Sequence, residues 1–173
     1  MASDSLSLIA KGEEGWLCIS CREERQQSFI VTRSPNLPKH LIKEAWEKGD
    51  SIKHIFYEEG EWIILSEKEE EEDLEEYFVY SSNFPHKKVK EGQERGFSIS
   101  LISFCDDKWI VFMRKKRVYQ KLFLCSSLSS LSSKILQAWS SSLFVCLICF
   151  GQGKWALLLQ EDSIGFILFL SST

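Results

Sequence analysis

SIKHIFYEEGEWIILSE, residues 51–67, places two apolar runs either side of a charged turn that contains one glycine. Runs of this length joined by a Gly-containing turn read as a β-hairpin. Trp62 then opens the second strand. The arrangement recurs: Trp16, Trp109 and Trp155 open similar runs, and the four tryptophans are 46, 47 and 46 residues apart. A fixed period of this size marks a repeat architecture. Seven residues before each Trp stands an isoleucine, Ile9, Ile55, Ile102 or Ile148. Ten before stand Leu6, Ile52, Ile99 and Val145, and eight before stand Leu8, His54, Leu101 and Leu147. On a regular strand the offsets of ten and eight share one face and seven lies on the other. The first strand is therefore expected to be apolar on both faces.

A third strand follows each hairpin after a tip of variable length: FIVTRS at 29–34, YFVYSS at 77–82, LFLCSS at 122–127 and ILFLSS at 167–172. β-branched and aromatic residues dominate these segments, and each ends in serine. A helix is expected next. LPKHLIKEAWEKG from Leu37 has Pro38 near its start, Ile42 and Trp46 four apart, and Gly49 at its end, the Pro-in, Gly-out asymmetry of a helix. FPHKKVKEGQERG from Phe84 keeps Pro85, Val89 and Gly96, but Gly92 lies inside it, which predicts the weakest helix. LSSKILQAWSSS from Leu131 keeps Ile135 and Trp139 but has no Pro or Gly. The reading is a mainly β chain with short helices. It has four tandem repeats of three antiparallel strands plus a connecting helix, in units of about 1–49, 50–96, 97–142 and 143–173. Strands apolar on both faces need cover on both sides. A closed four-bladed propeller-like ring supplies it, and a closed barrel with outer helices is the alternative. All of 1–173 would form a single repeat domain.

Pro38, Ile42, Trp46, Gly49, Ile52, Ile55 and Trp62, with Phe84, Pro85, Val89, Gly96, Ile99, Ile102 and Trp109, form a recurring pattern. It resembles the tandem-repeat domain of the C-terminal region of plant casein-kinase-1-like kinases and of stand-alone bacterial relatives. Gln27 and Gln120 stand where that family tends to carry glutamine. The last unit departs from the pattern, with no Gln and a Ser-rich stretch before its helix. The resemblance implies an accessory or interaction module with no catalytic residues to carry over. The kinase half is missing, since no Gly-rich phosphate loop, His-Arg-Asp or Asp-Phe-Gly is present.

With 173 residues, 44% of them hydrophobic and 27% charged, the chain reads as a soluble globular protein able to bury a core. A net charge of −4 gives no reason to expect nucleic acid as partner. The first sixteen residues lack a basic segment followed by an apolar core, so no secretory signal is expected. The longest apolar run, LFVCLICF at 143–150, is far short of a membrane helix and reads as a buried strand. These features predict an intracellular, cytoplasmic setting with reduced cysteines.

The residues that could carry function sit in the tips. EKEEEEDLEE at 67–76 holds eight acids, among them Glu69, Glu70, Glu71, Glu72 and Asp73; RKKRVYQK at 114–121 begins with Arg114, Lys115, Lys116 and Arg117. They are expected to be solvated loops that pair with each other or bind a partner of mixed charge. Two Cys-x-x-Cys pairs, Cys18 with Cys21 and Cys146 with Cys149, could hold zinc. Ligating pairs usually flank a tight turn, whereas these lie within apolar runs, so buried structural thiols are the preferred reading. His54 stands in a column otherwise filled by leucine, which suits a packed, hydrogen-bonded histidine better than a catalyst. No catalytic residue, no cofactor and no enzyme activity are expected. The functional expectation is a non-catalytic scaffold that binds another protein through charged loop rims, as a possible subunit of a larger assembly. The alternative is a small-molecule or carbohydrate-binding domain.

Overall fold

The computed structural model describes residues 4–12, 15–22, 30–69 and 75–161. The chain divides into two compact units, Met1–Gln26 with Val118–Thr173, and Gln27–Arg117. In the second unit, β1 to β11 being numbered along the whole chain, the order is β3 (Ile30–Ser34), α1 (Lys39–Glu47), β4 (Asp50–Glu58) and β5 (Glu61–Lys68). Then come β6 (Glu76–Ser81), α2 (His86–Glu94), β7 (Ser98–Cys105) and β8 (Lys108–Arg114). The first unit contains β1 (Asp4–Gly12) and β2 (Gly15–Arg22). It also contains β9 (Gln120–Cys125), α3 (Leu128–Trp139), β10 (Phe144–Gly151) and β11 (Lys154–Gln160).

The sheets correct the expected architecture. They are β3-β5-β4, β6-β8-β7 and β9-β11-β10, with β1-β2 as a two-stranded pair. None closes into a barrel, and the described residues form neither four three-stranded repeats nor a closed propeller-like ring. The expected unit bounds also cut across the sheets. The strand that precedes each helix pairs with the second hairpin strand that follows it, as Ser34 opposite Trp62 and Ser81 opposite Trp109 show. Each three-stranded sheet is thus a β-α-β-β segment. The helix is needed because the first two strands of that segment run parallel, with the third inserted between them, and parallel strands require a crossover. The expected strand at 167–172 lies outside the described residues.

The hairpins form as read. Glu59 and Gly60 connect β4 to β5 with φ of 52° and 86°; Asp106 and Asp107 connect β7 to β8 with 48° and 55°. Positive φ at both loop residues is the turn whose twist matches the strands it joins. Beside three of the turns a cross-strand aromatic pair locks the register: Tyr57–Trp62, Phe104–Trp109 and Phe150–Trp155, with ring centroids 5.3, 5.1 and 4.8 Å apart. Trp62 and Trp109 are buried to 2% and 1% exposure.

The first strand of each hairpin contains a bulge, between Ile52 and His54 in β4, Ile99 and Leu101 in β7, and Val145 and Leu147 in β10. β1 carries one between Leu6 and Leu8. One unpaired residue shifts the alternation. Residues ten and seven before the Trp are therefore both buried, as Ile52 with Ile55, Ile99 with Ile102 and Val145 with Ile148. The expected split of these columns between two faces is wrong for this reason.

Helix packing also differs from expectation. Gly92 is buried in α2, and a Cβ there would overlap the Tyr77 hydroxyl and stand 3.0 Å from Met113 Cε. The glycine is where the helix comes down onto β6 and β8 rather than a weak point. The Ser-rich stretch before α3 is a proper cap: Ser127 Oγ accepts from Ser130 N at 3.2 Å, while α1 and α2 lack a side-chain cap. In the first unit Leu131, Ile135 and Ala138 of α3 pack with Val145, Ile148, Leu157 and Leu159. In the second, β4 lies against β7, and Ser103 Oγ donates to Ile55 O at 2.7 Å across that contact.

Candidate functional site

The tips begin where β5 ends and where β8 ends, and the bulge in β4 supplies a third group. Lys53, the bulged residue, reaches Glu69 at 2.7 Å and Glu67 at 3.9 Å. Arg114, at the end of β8, donates from one terminal nitrogen to Glu69 at 2.8 Å and from Nε to Glu76 at 2.6 Å. It also bonds Ser51 Oγ. Glu76 and Arg114 face each other in the β6–β8 register, which sets this geometry before any charge acts. Their side chains are 6% and 17% exposed. Two sheets, β3-β5-β4 and β6-β8-β7, are joined here by charge-assisted bonds of the strong kind.

Electrostatics follow from that packing. Burial alone would raise the Glu69 carboxyl, but the bonds and charges of Lys53 and then Arg114 hold it below its ordinary value. For Arg114 burial opposes the charge, and the bonds to Glu76 and Glu69 raise its pKa all the same.

Of the residues singled out in the sequence, Glu69 and Arg114 are therefore brought together at the base of the tips. Lys115 is half-exposed, pairs with Glu75 at 3.2 Å and donates its backbone N–H to Glu75 O at 2.8 Å. Lys116 and Arg117 are exposed, the carbonyl of Lys116 accepting from Ser98 Oγ. Glu70, Glu71, Glu72 and Asp73 lie outside the described residues. Sequence reasoning missed Lys53, Ser51 and Glu76. Gln120 occupies the place in β9 that matches Glu76 in β6, and its Nε2 donates to Gln160 Oε1 at 3.1 Å.

Cys146, the bulged residue of β10, has its Sγ 3.8 Å from Gln160 Oε1, and burial pushes its thiol up to about 11. Cys149 is buried. Cys18 and Cys21 lie on β2, opposite Ile9 and Ser5. Among the described residues no three or more His, Cys, Asp or Glu side chains gather as a metal site. His54 is half-buried opposite Leu65, and burial, then Lys53, lowers its pKa. Burial there favours the neutral imidazole. No helix among the described residues is long and apolar enough to cross a membrane.

No protein-family model, curated protein or solved structure matches this chain.

Proposed function

We propose that this chain is a non-catalytic interaction module that binds another protein through the charged end where the two tips meet. The observation that carries the reading is the part-buried clamp of Lys53, Glu69, Arg114 and Glu76. It fixes the bases of both tips, so that the exposed Lys115, Lys116 and Arg117 are presented on a rigid platform, which lowers the entropic cost of binding. The non-catalytic part rests on the chemistry of the reactive groups. Burial raises the thiols of Cys105 and Cys146, which disfavours thiolate, and His54 is packed in a strand. Burial of Trp62 and Trp109 favours this reading over a carbohydrate binder, which would present such rings to solvent.

The test is affinity capture from nuclease-treated extract with the full chain and with the Lys115→Glu, Lys116→Glu double variant. The reading expects one or more captured proteins to be lost with the variant, while the variant, which gives up the exposed Lys115–Glu75 pair, stays folded with a loss of no more than about 1 kcal/mol. An identical set of captured proteins would show that this end is not the binding surface.

A further inference from the structure

α2 ends at Glu94 with Arg95 as its cap, and Gly96, whose φ is 87°, then turns the chain sharply into Phe97, a side chain only 2% exposed. Two cations lie against that one ring. Arg95 Cζ is 5.3 Å from its centroid and Lys115 Nζ is 4.7 Å from it. A third approaches through Gly96, since a Cβ there would lie 3.4 Å from Arg117 Nε. Three positive side chains therefore converge on the C-terminal end of one helix, all of them exposed. The negative end of the helix dipole and the face of Phe97 offset their mutual repulsion. Among the described residues, Glu91 pairs with Lys87 and Glu94 with Lys90, away from these cations, while Glu75 pairs with Lys115 itself. Arg95 and Arg117 have no carboxylate partner among the described residues.

The molecule also displays what such a place accepts. Its own chain near Glu75 and Glu76 lies extended beside Arg114 and Lys115, bound through both a backbone bond and carboxylate contacts. We infer that Arg95, Lys115 and Arg117 form a receptor site for an acidic, extended segment of the partner protein, continuing the line of the chain's own acidic strand. This rests on the interaction reading above and gives it the chemistry of the partner. Guanidinium groups suit it because their planar fork matches carboxylates.

Fluorescence anisotropy with a short labelled Glu/Asp-rich peptide tests the site on the full chain. We expect saturable binding that weakens as salt rises, because exposed charges are screened. Reversing both arginines (Arg95→Glu, Arg117→Glu) should weaken it by about tenfold or more, whereas Lys87→Glu with Lys90→Glu on the same helix should change it less than about twofold. The milder Arg95→Gln, Arg117→Gln pair, expected to fall between, covers loss of folding in the reversal. Binding no tighter than a Gly/Ser peptide, or an equal loss in both charge-reversal variants, would overturn the proposal. A single-stranded oligonucleotide bound more tightly than the peptide, and lost with the same arginines, would overturn it in favour of a phosphate ligand. The two readings separate cleanly: capture that depends on Lys115 and Lys116 without acidic-peptide binding leaves the interaction module standing and removes this site.

Discussion

Replacing Arg114 with methionine removes the guanidinium from the clamp while keeping much of its apolar stem. Glu69 still has Lys53 at 2.7 Å, so the stranded group is Glu76, whose side chain is 6% exposed. Breaking a buried pair by removing one partner costs about 3–5 kcal/mol, against about 0.2–1 kcal/mol for an exposed pair. The exposure of Arg114, 17%, places this pair near the buried end of that range, and a loss of about 3 kcal/mol is expected. Urea unfolding followed by tryptophan fluorescence reads it, since Trp62 and Trp109 are buried in the same unit. The midpoint should fall by about 1–2 M with the slope unchanged. Adding Glu76→Gln takes away the stranded charge and should return about 2 kcal/mol. A single-variant loss below about 1 kcal/mol, or a double variant whose loss equals the sum of the two singles, would refute a buried, mutually dependent pair.

Gly92→Ala should destabilise the protein by about 1 kcal/mol, although alanine is normally the better helix former by about that amount, because overpacking against Tyr77 and Met113 costs about 1–3 kcal/mol; a gain in thermal midpoint would show that the helix is free to lift. Asp107→Gly should stabilise by about 0.5–1 kcal/mol, since Asp107 holds φ of 55° where the β4–β5 and β10–β11 turns have Gly60 and Gly153, and chemical denaturation checks the sign. The Glu69 carboxyl is held below its ordinary value of 4.5, so its contribution is present above that pH and is lost as pH falls through its lower folded value. Glu69→Gln should therefore flatten the acid side of the stability profile and leave the alkaline side unchanged. Cys146 should react slowly with a thiol reagent at pH 8 in the native protein and fast in urea, its thiol being raised to about 11 by burial; equal rates would contradict that burial.

The features legible in the sequence are those decided within a few residues. Glu59 and Gly60 announce a two-residue hairpin, Pro38 and Pro85 mark helix starts, and the Trp at the head of each second strand anchors the pair beside the turn. The bulge was visible only as a conflict. Ile52 and Ile55 are both apolar although three apart, and a strand that must bury both needs one extra residue between them. The sheet that the third strand joins was not legible, because β3 is adjacent in sequence to β2 yet pairs with β5. Alternation and composition look the same either way, and the choice is made by pairing across the helix. The clamp was half legible. Opposite charges on the two tips suggested pairing, but Lys53 and Glu76 depend on bulge and register, which no local pattern displays.

The pairing of each third strand with the hairpin beyond the helix moves the natural seams of the chain. A piece such as 30–68 carries a whole sheet with its crossover helix, whereas a cut at residue 49 would split one sheet in two. The charged tips are then the joints between successive modules. A joint tolerates changes in length cheaply, since each doubling of a loop costs only about 0.6 kcal/mol, and this gives a physical reason why the tips vary while the segments between them keep their pattern. Arg114 and Glu69 bridge two neighbouring modules across such a joint. Together with the packing of β4 on β7, this ion pair holds the two modules in register independently of the segment that connects them.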